Sequence, residues 1–255
     1  MSDLQRLGEG QPGFCKTLIT AFFVSIYCGL FLWHSGALAE TPDPKILVKA
    51  ALEKLDATAL DDDWSFTMAV TEGDELRLVH SDPQREQSVR RQLLSVNGEA
   101  PDEDRLEEFR EAERKRIDDI DPDTDGYSYM VDVETLQVLE GGAEQESAQG
   151  DAHLNFSFTP RVKALEKSRD LLRGTLQLNT ESQQIEEIEL HNTGALSPAF
   201  SVTVDTYRLA LTFAPEQGEN LIHTLQSHAV GKAGFLKSFD SLVDITFSDY
   251  KRAAP

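Results

Sequence analysis

From Leu136 to Phe247 the large apolar residues recur at every second position in short runs, and that period of two limits the chain to folds built on strands. The runs are Leu136 and Val138; Leu154, Phe156 and Phe158; Leu172, Leu176 and Leu178; Ile188 and Leu190; Val202 and Val204; Leu209, Leu211 and Phe213; Leu221 to Ala233; and Val243, Ile245 and Phe247. An earlier hairpin follows the same period. Trp64, Phe66 and Met68 alternate with Ser65, Thr67 and Ala69, and Leu76 and Leu78 resume beyond the Glu72-Gly73-Asp74 turn. Arg91 to Val96 reads as a further strand closed by Asn97-Gly98. Ten or eleven strands separated by turn signals predict a mainly β (α+β) domain formed as one antiparallel meander. Within Ser201 to Phe213 the apolar phase flips between Val204 and Leu209, which predicts a bulge there. Glu140 to Asp151, rich in Gly, Glu, Gln and Ala, reads as an exposed turn.

Two segments break the period. Asp43-Pro44 supplies a cap and a first-turn proline for a helix over 45–58, in which Leu47, Val48, Ala51, Leu52 and Leu55 share a face. The segment 99–125 holds 13 acidic and 5 basic residues and only a thin apolar stripe of Leu106, Phe109, Ile117 and Ile120. It predicts a charged helical insert at about 101–120, braced by pairs such as Glu111 with Lys115 and lying over the sheet.

Charge narrows the partners. With 45 acidic against 24 basic side chains the chain carries a formal charge of -21, and counterion release from phosphates needs the opposite sign. A nucleic-acid function is excluded on that ground, and the whole surface is expected to repel anionic headgroups too. An apolar stretch at 17–33, preceded by Lys16 and followed by Ala37-Leu38-Ala39, reads as a secretory signal over 1–39 with cleavage after Ala39. The alternative is a membrane anchor formed by 17–33, at the short edge of a bilayer span. In either case the domain over 40–255 is expected in the periplasm. Removal of 39 of the 255 residues leaves 216, and both cysteines, Cys15 and Cys28, go with the leader. Lipid modification of Cys28 is disfavoured by the bulky Tyr27 before it.

Several phrases resemble a known group: Trp64-Ser65-Phe66-Thr67, Leu93 to Pro101, Phe156-Ser157-Phe158-Thr159-Pro160, Ser197 to Val202, and Phe235 to Asp240 leading to Phe247-Ser248-Asp249-Tyr250. Together with the order of elements they resemble the periplasmic lipoprotein-carrier fold, the LolA/LolB-like half-barrel shared by the sigma-factor regulator RseB. The resemblance spans about 45–252. It implies a curved antiparallel half-barrel with helices over an apolar concave face that takes an acyl chain, a lipid or a lipidated segment. Trp64, Phe66, Phe156, Phe158, Phe200, Phe213, Phe235 and Phe239 are the candidates to line that trough; each is equally available to fill a core. A hydrophobic ligand or lipoprotein, or an envelope protein bound through the acidic surface, are the partners expected of a monomer.

Motifs for other chemistry are sparse. Asp121, Asp123, Asp125, Gly126 and Asp132 match the spacing of a calcium loop, with Tyr127 as a carbonyl donor. Pro122 in the second position, Asp in place of the terminal Glu, and the absence of an exiting helix favour a plain acidic connection instead. No nucleophile elbow or phosphate-cradling loop is present, and His80, His153, His191, His223 and His228 are scattered. The expectation is a protein without enzymatic activity or cofactor.

Overall fold

The computed structural model describes residues 43–58, 63–118, 126–139, 153–234 and 237–253. The leader, Phe235, the turn over 140–151, and Asp121, Asp123 and Asp125 lie outside the described residues.

Helix α1 (Pro44–Asp56) begins where its caps dictate: Asp43 accepts from the Lys45 amide at 2.9 Å, and Pro44 occupies the first turn, where no amide is needed. Val48, Ala51, Leu52 and Leu55 are buried along one face, each of the larger three contributing about 2 kcal/mol. Eleven strands follow: β1 (Trp64–Glu72), β2 (Glu75–Ser81), β3 (Arg91–Val96), β4 (Gln137–Val138), β5 (His153–Phe158), β6 (Leu172–Asn179), β7 (Gln184–Asn192), β8 (Leu196–Ala199), β9 (Val202–Glu216), β10 (Glu219–Ala233) and β11 (Lys237–Arg252). Between β3 and β4 lie helix α2 (Glu103–Asp118), the single helical turn α3 (Tyr127–Met130) and a 3-10 turn at Val133–Thr135; a 3-10 segment, Lys163–Leu171, precedes β6.

All eleven strands join one open antiparallel sheet in the order β3-β2-β1-β11-β10-β9-β7-β6-β5-β4, with β8 paired to β9 beside that path. The curved half-barrel expected from the sequence is therefore present, but it is not a simple meander. Trp64 of β1 lies opposite Arg252 of β11, so the first hairpin docks on the last strand and the two ends of the domain meet mid-sheet. The meander is broken once, at the crossing from β3 to β4 that carries α2 and α3.

The expected bulge is at Asp205. Val230 pairs with Thr206 and Gly231 with Val204, leaving Asp205 unopposed. The extra residue restores the phase, so that Val204, Tyr207, Leu209, Leu211 and Phe213 all face the same side. A second bulge at His223 does the same for β10. On this concave side each of the three long strands serves two clusters. Leu211, Phe213, Ile222, Phe247 and Tyr250 belong to a large core under α1, whereas Val202, Val204, Ala229 and Phe239 belong to a small one around Leu165, Leu172 and Leu196. Tyr207 touches both.

Helix α2 is capped by Asp102, which accepts from the Arg105 amide at 2.8 Å, and places Glu103 and Asp104 in its first turn and Lys115 and Arg116 in its last, as the helix dipole favours. It has no buried residue; Leu106 and Phe109 lean on the large core, and Arg105 reaches Glu75 at 3.1 Å. The bracing runs through Arg105–Glu108, Arg110–Glu107, Arg116–Glu113 and Arg114–Glu107. Among the described residues no helix is long and apolar enough to cross a membrane.

Candidate functional site

Strand register assembles the site. Phe156 of β5 lies opposite Leu176 of β6, Leu176 opposite Ile188 of β7, Ile188 opposite Leu211 of β9, Leu211 opposite Leu225 of β10, Leu225 opposite Ile245 of β11, and Ile245 opposite Val70 of β1. Seven strands thus contribute one unbroken apolar row across the concave face. A second row beside it runs Phe158, Gly174, Leu190, Leu209. Gly174 has no side chain because the Phe158 ring lies over it: a Cβ there would come within 2.3 Å of the ring.

The cover over this floor is uneven. Phe156, Leu176, Ile188 and Leu211 are buried, and α1 packs against β7 above them. Leu225, Ile245 and Val70, at the other end of the same row, are only half-buried. The floor therefore runs out from beneath α1 toward β10, β11 and β1.

Polar contacts tie the cover to its surroundings. The Asp56 carboxylate, at the end of α1, accepts from the amides of Tyr127 at 2.6 Å and Ser128 at 3.1 Å, and so caps α3 from outside. Gly126, at φ 98°, leaves the space this carboxylate needs, since a Cβ would lie 3.1 Å from its oxygen. Lys45 donates to the Glu134 carbonyl at 3.2 Å. Below, Tyr127 meets Phe213 edge-on at 5.1 Å, and Trp64, Phe66, Phe247 and Tyr250 interlock at 5.8 to 6.2 Å. Tyr250 donates its hydroxyl to the Ile222 carbonyl, and burial pushes its phenol well above the ordinary value, as it does for Tyr207.

Of the aromatic candidates, Trp64, Phe66, Phe156, Phe158 and Phe213 gather in the large core. Phe239 sits half-buried in the small core, with its ring over Gly231. Phe200 does not line the interior: it is 96% exposed, because it forms the turn between β8 and β9 rather than a strand position. Sequence reasoning missed the aliphatic floor residues Leu176, Ile188, Leu211, Leu225 and Ile245. The alternation carried them, but only the register shows that they align.

Of the calcium-loop pattern, Asp132, Gly126 and Tyr127 lie among the described residues. Asp132 is buried and accepts from Arg169 and, at 3.1 Å, from Arg161, so its charge is already met by two guanidiniums. Gly126 serves Asp56, and Tyr127 to Met130 form a helical turn instead of the start of a strand. No group of three metal-ligating side chains occurs among the described residues. The Asp132 pair borders an open polar cleft of about 670 Å³ lined by Thr135, Thr159, Glu166, Asp170 and Arg173 as well. His153 is paired with Glu186 at 2.8 Å and His228 with Asp240 at 3.0 Å.

No protein-family model matches the sequence, and no curated protein matches it. Among solved structures, the chain is similar to the crystal structure of a LolA superfamily protein from Nitrosomonas europaea, at 14% identity and a TM-score of 0.34, over 81% of this chain and 94% of that one.

Proposed function

We propose that this chain is a non-enzymatic binding or carrier protein of the cell envelope, which seats an acyl chain or another extended apolar group along the floor of its half-barrel. The observation that carries the reading is the seven-strand apolar row, buried beneath α1 at one end and half-uncovered at Leu225, Ile245 and Val70. A ligand laid from that end inward exchanges water for apolar surface at about 0.8 kcal/mol per CH2 group, and its chain replaces part of the apolar contact that the buried face of α1 makes with the floor. Export is part of the proposal, with the leader over 1–39 as its address.

The test is binding of a fluorescent long-chain fatty acid to protein purified from the exported fraction without detergent, with native mass spectrometry of the same sample. Retained lipid-sized mass and saturable uptake are expected, with about tenfold weaker uptake in Leu225→Ser combined with Ile245→Ser, which removes side chains from the half-buried end. Uptake unchanged in that folded variant, or none in the parent, overturns the reading. A second reading, an envelope scaffold that binds a basic partner through α2, is favoured by that helix having no buried residue. Salt-sensitive co-purification of such a partner, lost when the outward acids of α2 are neutralised, would support it.

A further inference from the structure

We infer that the polar cleft beside Asp132 is a binding site for a small zwitterion in which a short linker joins an ammonium to a phosphate, phosphoethanolamine being the simplest case. Its described lining shares no residue with the apolar floor, so the inference stands whatever the interior holds.

Separate pieces of chain meet there. Asp132 and Thr135 come from the turn before β4, Thr159 from the end of β5, Glu166, Arg169 and Asp170 from the 3-10 segment Lys163–Leu171, and Arg173 from the start of β6. They border about 670 Å³, a volume in the range of small-molecule sites. Buried Asp132 fixes one wall. Its carboxylate accepts from Arg169 and, at 3.1 Å, from Arg161; its carbonyl accepts from the Thr135 hydroxyl at 2.8 Å, and that hydroxyl accepts from the Thr159 amide at 2.9 Å. Two guanidiniums share this one carboxylate, so positive charge is left over at the wall.

What makes this a site is that donors and acceptors line the same space without meeting. Arg173 donates through Nη1 to the Asp170 and Leu172 carbonyls at 2.8 and 2.6 Å, which leaves its Nε and Nη2 unspent. Arg169 uses Nε on the Pro160 carbonyl at 3.3 Å and Nη2 on Asp132, which leaves Nη1. The Thr159 hydroxyl has no partner among the described residues, and the carboxylates of Glu166 and Asp170 make no ion pair or hydrogen bond among them either. Opposite charges that border one cleft and do not pair leave room for a molecule that ends in both. The unspent guanidinium nitrogens and the hydroxyl suit the three oxygens of a phosphate better than the two of a carboxylate. Two exposed carboxylates suit an ammonium, which only donates. The segment 161–173 sets Arg161, Lys163, Lys167, Arg169 and Arg173 against Glu166 and Asp170, a basic excess in a chain of formal charge -21. A zwitterion, with little net charge, reaches it without repulsion from the acidic body.

The experiment is calorimetric titration of the detergent-free exported protein with phosphoethanolamine, inorganic phosphate and ethanolamine in turn. Saturable binding of phosphoethanolamine is expected, with either half alone about tenfold weaker. Arg173→Gln should weaken phosphoethanolamine about tenfold. Glu166→Gln with Asp170→Asn should weaken it about fivefold while inorganic phosphate binds no worse, a split that a general loss of structure would not give. All three side chains are exposed, so the thermal unfolding of these variants should match that of the parent. Arg110→Gln, on α2 and outside the cleft, should leave binding unchanged. Two sources share this chemistry, a free phosphate monoester and a phospholipid headgroup. Flotation with phosphatidylethanolamine vesicles that Arg173→Gln abolishes assigns the lipid; titration without flotation assigns the free ester. No binding of either form, inorganic phosphate bound as tightly as phosphoethanolamine, or undiminished binding by Arg173→Gln overturns the inference. Fatty-acid uptake should be the same in the cleft variants and the parent, so the fate of the interior reading is scored separately.

Discussion

The two halves of strands β9, β10 and β11 share one concave face and one alternation, yet they end in opposite environments. Under α1 the strands carry Leu211, Phe213, Ile222 and Phe247 in a core that draws on nearly every element of the domain. Beyond Tyr207 the described residues of the same strands place Val202, Val204, Ala229 and Phe239 around three leucines, and the β8–β9 turn holds Phe200 in water. Strand pairing and side-chain phase are equally good in both halves. What differs is cover. Stability concentrates where a helix closes the face.

Two glycines put the comparison to its severest test. Alanine at Gly174 places a Cβ 2.3 Å from the Phe158 ring in the middle of the large core, and the ring has nowhere buried to go; a loss of about 3 kcal/mol is expected in denaturant unfolding. Alanine at Gly231 places its Cβ 2.1 Å from the Thr203 carbonyl, a harder obstacle, but at the end of the sheet, where strands can part locally. Gly231→Ala should therefore speed amide exchange at 202–204 and 231–233 while costing only about 1 kcal/mol globally. Equal global losses would break the comparison, since both halves would then unfold as one unit.

Next in size is Tyr250. Replacing it by Phe leaves the Ile222 carbonyl without its donor, at about 1.5 kcal/mol. Its pH signature sharpens the contrast. Burial raises the phenol in the folded state above its ordinary 10.0, so the unfolded chain releases the proton first, and the contribution is whole below pH 10 and lost as pH rises beyond it. Tyr207, between the two cores, is raised for the same reason. Alkaline unfolding followed by tyrosinate absorbance should be steep above pH 10 in the parent and shallower in Tyr250→Phe.

The lid comes third. Asp56→Ala removes the carboxylate that caps α3 and should cost about 1 kcal/mol, the ordinary worth of such a cap. Its larger effect should be local: faster exchange of the Tyr127 and Ser128 amides and faster uptake of a fatty-acid probe, with amides of β8 untouched. A change in probe uptake without a change at those amides would separate the lid from α3.

Much of this molecule could be read beforehand because its determinants are local. Asp43-Pro44 and a face of leucines define α1, Asn97-Gly98 closes β3, and the phase flip after Val204 announces the Asp205 bulge. What was not legible depended on partners remote in sequence. Nothing near Trp64 indicates that it pairs with Arg252, and nothing near Asp132 indicates Arg169, 37 residues away, which turns an apparent cation ligand into an ion pair. Aromatic residues were an incomplete guide to the site for a related reason. Burial depends on whether a residue falls on the concave phase of a covered strand, and Phe200 falls on a turn while Leu176 and Ile188 fall on the floor.

The smallest effect is expected on α2, and its smallness is informative. Arg110 pairs with Glu107 at 3.4 Å with both side chains more than half exposed, so the attraction is screened and offset by the entropy of holding two long side chains. Arg110→Ala should change stability by no more than about 0.5 kcal/mol. The same substitution at Arg105, which ties α2 to Glu75 of β2 at 3.1 Å, should cost slightly more and loosen the helix from the hairpin. If both prove neutral while Phe109→Ser is not, α2 is held by Leu106 and Phe109 alone, and its charges are left to solubility or to a partner. If Arg110→Ala costs as much as Asp56→Ala, the ion pairs act as a network, and α2 joins α1 as part of the cover on the large core.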